Sequence, residues 1–316
     1  MNPNRIVLVC CALLLLSVCG NARAGCGSAV CSVNTNWDSQ GTWTEPGMRL
    51  DLRFEFIDQD QPMSGSQRVA VGEIPRHHDE VRTINRNWVA TLDYAFDDRF
   101  GVSFGLPVFD RSHSHIHNHL GVPEPEAWNY SEIGDARILG RFNIAEEHHG
   151  AHGLLFGVKL PTGSYKVENQ ENERAERTLQ PGSGTTDVLL GAYYQYQTTG
   201  TDSWFMQALW QSALGSREDF RPGDRLGIDV GYRHPLGERI AVLLQINLLQ
   251  RNRDSGDQSD PEDSGGRSVF VSPGLSARVS DNSEVYGFVQ LPVYQYVNGV
   301  QLTSAWSLVA GFATNF

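Results

Sequence analysis

The sequence predicts an all-β fold: a transmembrane antiparallel up-and-down β-barrel of about twelve strands. Three observations lead to this prediction. Apolar and polar residues alternate with period two along the chain, and this period places successive side chains on opposite faces of a sheet. Candidate strands are joined alternately by short turns and by long polar segments. Beyond residue 24, no apolar stretch is long enough to form a membrane-spanning helix.

The amino terminus has the pattern of a secretory signal peptide. Arg5 precedes an apolar run from Ile6 to Val18, and Ala22-Arg23-Ala24 supplies small residues at a cleavage position. The run is too short for a membrane helix. A lipoprotein signal modified at Cys19 is the alternative, but a small residue is expected where Val18 stands. We therefore divide the chain into a signal peptide at 1–24, a periplasmic segment at 25–46 and the barrel at 47–316.

Two cysteines follow the expected cleavage point. Cys26 and Cys31 lie in the segment assigned to the periplasm, outside every candidate strand. An exported pair at such short spacing most often oxidises to a small disulfide. A metal or redox site is the alternative, because thiolates are ligands for soft metals. The spacing favours the disulfide and leaves the metal site open.

The first candidate strand shows the alternation most clearly. Apolar residues occupy Met48, Leu50, Leu52, Phe54 and Phe56, and charged residues occupy Arg49, Asp51, Arg53 and Glu55. This alternation suits a strand with lipid on one face and water on the other. Further candidate strands follow at 83–96, 100–108, 135–144, 153–160, 187–197, 204–214, 225–233, 239–249, 268–279, 284–297 and 302–316.

The connections between these strands alternate in length. Long polar segments occupy 58–80, 110–130, 162–186, 215–224 and 252–266, and short turns lie between them. Outer-membrane barrels of Gram-negative bacteria show this asymmetry, with short periplasmic turns and long outer loops. The last strand ends at Phe316, and we expect the barrel-insertion machinery to recognise this terminal aromatic residue. The sequence therefore predicts an outer-membrane location, with membrane lipid as a partner.

A soluble barrel or sandwich in the periplasm is the rival fold. A soluble barrel buries its apolar face inward, and a cylinder of so many strands would then enclose a wide hole. The membrane barrel is favoured because charged residues occupy the face that would otherwise be the core. The net charge of −12 also disfavours nucleic-acid binding.

Short motifs in the middle of the chain carry a family resemblance. They are Gly134-Asp135, the run Gly157-Val158-Lys159-Leu160-Pro161-Thr162-Gly163, the run Gln180-Pro181-Gly182-Ser183-Gly184-Thr185-Thr186-Asp187, and Gly191-Ala192-Tyr193-Tyr194. This pattern resembles the outer-membrane transporter barrels of the phenol-degradation MetA-pathway family. The resemblance implies an outer-membrane channel or uptake protein, in some members tied to small aromatic or hydrophobic compounds.

Six of the ten histidines are clustered in the first two long connections. His113, His115, His117 and His119 recur at every second position, so an extended segment would point them the same way. His77 and His78 end the preceding long connection. Imidazole is the commonest protein ligand for zinc and copper, so these six residues form a candidate copper or zinc site. A solvated polar loop without metal is the alternative.

Inward-facing charged residues would line the lumen. The candidates are Arg49, Asp51, Arg53, Glu55, Asp135, Arg137, Arg141, Asp229 and Arg233. Residues of both signs can pair across the interior or line a water-filled pore. The sequence therefore predicts an uptake channel for a small solute. A metal-binding or structural surface protein without transport is the alternative. An enzyme is disfavoured because no nucleophile motif with an ordered base is apparent.

Overall fold

The computed structural model describes residues 33–34, 46–74, 79–117, 123–147, 150–198 and 202–316. These residues form thirteen strands, with bounds β1 Gly47–Gly65, β2 Gln67–Arg68, β3 Asp79–Ala95, β4 Phe100–His117, β5 Glu124–Ile133, β6 Arg137–Glu147, β7 Gly150–Lys159, β8 Asp187–Gln197, β9 Ser203–Ala213, β10 Arg225–Pro235, β11 Ile240–Arg251, β12 Gly266–Arg278 and β13 Ser283–Asn315. Within the same ranges, no helix has the length and apolar character that a membrane span requires.

The sheet closes on itself because β1 pairs with both β3 and β13. Strand β13 crosses the wall twice. Its residues 284–297 pair with β12, its residues 297–315 pair with β1, and Gly299 turns between them with a φ of 48°. A closed ring of antiparallel strands must contain an even number of strands. Strands β2 and β5 pair outside the ring, and β13 crosses the wall twice, so the described chain crosses the wall twelve times. The predicted barrel of about twelve strands is confirmed.

The faces of the wall are inverted relative to a soluble barrel, as β11 illustrates. Its outward side chains Leu244 and Ile246 are 41% and 48% exposed, whereas the inward Gln245 and Asn247 are 1% and 0% exposed. Large exposed apolar residues recur around the outside on Trp88, Leu92, Phe104, Phe156, Leu190, Trp210 and Leu275. Apolar residues outside and polar residues inside are the pattern of a barrel that stands in lipid.

The apolar outer belt ends sharply on the side of the long loops, which we call the upper side. On β1, even-numbered outward residues are apolar from Met48 to Phe56 and acidic at Asp58. On β4, Val108 is opposite the exposed Trp88, and the next outward residue is Asp110. Nine residues from Met48 to Phe56, tilted in the barrel wall, span roughly 20–25 Å, which matches the hydrocarbon thickness that such barrels cross.

Strands β1, β3 and β4 continue above this belt, and β5 pairs with the upper part of β4. Much of 58–80 and 110–130, predicted as loops, is therefore strand. Polar outward side chains make these extensions compatible with water. Arg82 donates two hydrogen bonds to the Asp58 carboxylate, at 2.8 and 2.5 Å, and Arg86 forms an ion pair with Asp110 at 3.0 Å. The sequence-based prediction placed the end of each strand where its outward residues cease to be apolar. In the structure, the backbone hydrogen bonds between these strands continue beyond that point.

Two residues of the predicted periplasmic segment lie inside the barrel. Val33 is buried in an inner apolar cluster that includes Leu243 and Phe288. The backbone of Asn34 donates to Gln245 Oε1 at 3.0 Å and accepts from Gln245 Nε2 at 2.7 Å. Residues 1–32, with Cys26, Cys31 and the predicted signal peptide, lie outside the described residues.

Candidate functional site in the lumen and at the long-loop rim

All nine predicted lumen-lining residues are placed on the inner face. Arg49, Asp51, Glu55, Asp135 and Arg141 are buried, Arg53, Arg137 and Asp229 line an inner cavity, and Arg233 contacts Glu284 at 4.0 Å. Several of them form ion pairs, two within β1 and one between β1 and Asp93 of β3. Arg49 lies 3.6 Å from both Asp51 and Asp93, and Arg53 lies 2.9 Å from Glu55. Part of the lumen charge is therefore used to cross-link the wall.

A cavity of about 350 Å³ lies inside the barrel. Among the described residues that line it, seven are basic and four are acidic. The basic residues are Arg53, Arg111, Arg137, Lys159, Arg177, Arg225 and Arg251, and the acidic residues are Glu55, Asp135, Asp187 and Asp229. A positive excess of three therefore lies within a chain whose net charge is −12.

Two of these cations are held by neutral acceptors. Arg137 Nη2 donates to Gln211 Oε1 at 3.2 Å. Arg111 donates to Asn85 Oδ1 at 2.6 Å and to the carbonyl of Leu179 at 2.5 Å. Neutral acceptors orient a guanidinium without cancelling its charge. The cavity consequently has a net attraction for anions.

One part of the same cavity is apolar. Its lining includes Phe109, Leu139, Leu189, Leu209 and Phe220. Leu189 and Phe220 are each 1% exposed, so they are firmly packed rather than mobile in solvent. Apolar walls with a few placed polar groups are typical of small-molecule sites of roughly 300–1,000 Å³.

Two connections at the long-loop rim cover this cavity. The connection 160–186 contacts the connection 214–224 through Lys166 and Glu218 at 2.6 Å and through Arg174 and Glu218 at 3.3 Å. The Arg177 guanidinium lies 4.7 Å from the centre of the Phe220 ring. The hydrogen bond from Lys166 is the main cause that lowers the pKa of Glu218, which keeps this carboxylate charged.

Two predicted metal ligands meet a third group at the same rim. His113 and His115 point inward from β4, above the apolar belt, and Glu80 reaches them from β3. The nitrogen atoms His113 Nε2 and His115 Nδ1 are 3.2 Å apart, and Glu80 Oε2 lies 3.7 Å from His113 Nε2. The three potential ligand atoms lie within 4.8 Å of one another. We call these three residues the rim cluster.

The surroundings of the rim cluster orient both imidazoles. Thr83 Oγ1 lies 2.8 Å from His113 Nδ1, and Glu126 Oε2 lies 3.1 Å from His115 Nε2. The Trp128 ring packs against both histidines, with centroids 5.9 and 5.0 Å away. Burial lowers the pKa of His113 to about 3, so its ring is neutral near pH 7. Burial is also the main cause that raises the pKa of Glu80, followed by the charges of Glu176 and Asp263.

The remaining predicted metal ligands are only partly accounted for. His77, His78 and His119 lie outside the described residues, and the side chain of His117 is not described. Glu80 was not among the candidate ligands. One signal for Glu80 was present in the sequence, since this residue directly follows His77-His78-Asp79. Only the register between β3 and β4 shows that it lies opposite His115.

A sequence model of the family described as MetA-pathway of phenol degradation matches residues 89–305, which is more than two thirds of the chain. The chain belongs to this family. The resemblance drawn from the sequence motifs is therefore confirmed. No curated protein matches the chain at a significant level.

This member of the MetA-pathway family is similar in structure to solved proteins, and one of them has the same barrel fold. An outer membrane channel from Pseudomonas putida F1 is 12% identical, with a TM-score of 0.66 over 86% of this chain and 96% of that chain. The toluene transporter TbuX from Ralstonia pickettii is 9% identical, with a TM-score of 0.47 over 86% of this chain and 90% of that chain. The chain has the fold of an outer-membrane β-barrel.

Three of the four motifs that carried the family resemblance meet in one network at the long-loop rim. Lys159 Nζ lies 2.9 Å from Asp135 and 3.1 Å from Asp187, and it also contacts Ser183. Asp135 accepts from the backbone N–H groups of Gly163 at 3.1 Å and Ser183 at 2.9 Å. This signature of the MetA-pathway family thus fastens the connection 160–186 to the barrel wall, next to the cavity.

Proposed function

We propose that this protein is an outer-membrane uptake channel for small amphipathic anions, compounds with one negative group and an apolar body. Family membership and a closed barrel with a polar interior support transport. The single observation that carries the substrate class is the cavity lining, in which cations outnumber acids and stand beside an apolar wall. Catalysis is not proposed, because the ionised groups of the cavity pair or orient one another around a solute-sized space.

Electrostatics decide between an anionic and a cationic solute. The described hydrogen-bond acceptors of Arg111 and Arg137 are neutral, so these bonds do not offset the positive charges of the two guanidinium groups. The attraction between two opposite unit charges 4 Å apart is about 1 kcal/mol at the dielectric constant of water, and it is stronger in a confined lumen. Apolar contact with residues such as Phe109 and Leu209 then favours a solute with a ring or a short hydrocarbon body.

Planar lipid bilayers test this proposal directly. Purified protein is inserted, and reversal potentials are measured with benzoate, with benzylammonium, which has a similar ring but opposite charge, and with acetate, which lacks the ring. We expect benzoate to be more permeant than benzylammonium. The double variant Arg111→Gln and Arg137→Gln should reduce this preference at least about fivefold.

Arg86→Gln is the matched control, because Arg86 points outward and pairs with Asp110 on the surface. This variant should keep the selectivity of the unmodified protein. Conductance without preference for benzoate would exclude the anionic substrate class but leave a channel. A barrel that inserts and never conducts would overturn the transport proposal itself.

A second candidate function is transition-metal binding at the histidine-rich rim. The observation that favours it is the rim cluster, in which two imidazoles and one carboxylate converge. Metal binding can coexist with transport, or it can be the role of a surface protein that does not conduct. The two functions need separate measurements.

A further inference from the structure

We infer that Glu80, His113 and His115 are the ligands of a divalent transition-metal site at the long-loop rim. This inference rests on the second proposed function and not on conduction. All three side chains are buried, and they come from two adjacent strands rather than from the histidine run alone. The site differs from the sequence-based set, because an acid of β3 joins two histidines of β4.

The distances within the rim cluster suit a first-row metal ion. Zinc–nitrogen bonds of about 2.0–2.1 Å in a tetrahedral site place ligand atoms about 3.3 Å apart. His113 Nε2 and His115 Nδ1 are separated by 3.2 Å, and Glu80 Oε2 is 3.7 Å from His113 Nε2. All three potential ligand atoms lie within 4.8 Å of one another, so a movement of the Glu80 carboxylate toward the two nitrogens would complete the three-ligand face. Two imidazoles and one carboxylate are a ligand set for zinc, copper and iron rather than for magnesium or calcium.

The second nitrogen of each imidazole is already engaged. Thr83 Oγ1 holds His113 Nδ1 at 2.8 Å, and the Glu126 carboxylate holds His115 Nε2 at 3.1 Å. Metal-binding histidines almost always have such a partner on the ring nitrogen that does not bind the ion. The partner sets the tautomer and the ring orientation, so the metal-facing nitrogens are presented together.

The charge around the rim cluster also favours a cation. The acidic side chains of Glu126, Glu176 and Asp263 lie close enough to interact with the cluster, and Arg111 is the nearby basic residue. This balance is opposite to that of the cavity below. An ion bound here would tie β3 to β4 and, through Glu126, to β5. Three protein ligands leave a coordination position open, as exchangeable metal sites do.

The test is metal titration of the full-length barrel in detergent, with Zn²⁺ and Cu²⁺ as the probes. Binding is followed by calorimetry and by metal content after gel filtration. One variant carries Glu80→Gln and His115→Ala, and a second carries His77→Ala, His78→Ala, His117→Ala and His119→Ala. We expect the first variant to lose at least 100-fold in affinity. The second variant should retain one bound ion for each chain.

Glu126→Gln separates an orienting role from a structural one. Loss of an orienting partner typically costs 10–100-fold in metal affinity, so we expect a loss of that size with an unchanged stoichiometry. X-ray absorption of the zinc-loaded protein should show two imidazoles and at least one oxygen ligand. His234→Gln is a control, because His234 pairs with Asp202 at the opposite rim.

Folding of each variant is verified by its heat-modifiable migration on gels, so that loss of binding is not misread as loss of the barrel. Retention of affinity in the first variant, together with its loss in the second, would assign the site to the histidine run and overturn this inference. Absence of any bound ion in the unmodified protein would overturn it as well. Neither result would bear on conductance.

Discussion

Asp135 shows how a single side chain joins the barrel wall to a loop. Its carboxylate accepts from Lys159, from the backbone of Gly163 and from the backbone and hydroxyl of Ser183. The side chain is 9% exposed, so these bonds form where water cannot replace them. The cost of losing this carboxylate is therefore much larger than for an acid on the surface.

We predict that Asp135→Asn lowers the free energy of unfolding by about 1–3 kcal/mol, because the amide removes a charged acceptor from several donors. Urea titration of the barrel in detergent measures this change. Asp110→Asn is the control, since Asp110 is 47% exposed in its pair with Arg86 and should cost about 0–1 kcal/mol. Equal losses in both variants would refute the role assigned to Asp135.

At the scale of elements, the two described residues of the N-terminal segment, Val33 and Asn34, lie inside the barrel beside the cavity. Val33 packs in the inner apolar cluster, and Asn34 forms two backbone hydrogen bonds with Gln245 on β11. Asn34 also donates to Asp229 at 3.4 Å. Both residues line the cavity, so release of this segment would widen the path through the barrel.

We predict that Gln245→Ala increases the open fraction of single channels. Losing two hydrogen bonds of about 0.5–1.5 kcal/mol each should raise the ratio of released to docked segment about 5- to 150-fold. Single-channel recording measures this ratio.

Gln290→Ala serves as the comparison for this change. Gln290 is also buried on the inner face, where its side chain bonds those of Ser272 and Ser307. Its replacement should leave the open fraction unchanged. An unchanged open fraction in Gln245→Ala would show that the segment does not limit conduction.

For the whole molecule, the decisive feature is the outer apolar belt. Strand β11 presents Ile240, Val242, Leu244, Ile246 and Leu248 on alternate outward positions. Leu244 is in the middle of this set, whereas Gln250 is the first outward residue beyond it. The energetic effect of a charge should therefore depend on its height along the same strand.

We predict that Leu244→Arg destabilises the inserted barrel by about 2–4 kcal/mol, the cost of an arginine at the lipid-facing midplane. Gln250→Arg should cost about 0–1 kcal/mol, because it lies near the interface. Reversible folding into lipid vesicles under denaturant measures both values. A similar cost at the two heights would mean that β11 does not span the hydrocarbon layer as described.

The alternation of apolar and polar residues in the sequence was sufficient to predict the class of fold and the approximate positions of the strands. It also predicted that residues such as Arg49 and Asp51 point inward. These properties depend on a local rule, since alternation along one strand decides which side chains meet lipid. The family signature at Lys159 and Asp187 was also visible locally. Its physical role was not, because the partners are brought together by the fold.

Only the tertiary structure decided which distant residues share a site. The register between β3 and β4 places Glu80 opposite His115, and barrel closure gathers Arg111, Arg137 and Phe220 around one cavity. It also places Asn34 beside Gln245, more than two hundred residues away in the chain. A period along one strand carries no information about register or about the other side of a cylinder, and both are set by hydrogen bonding and packing between strands.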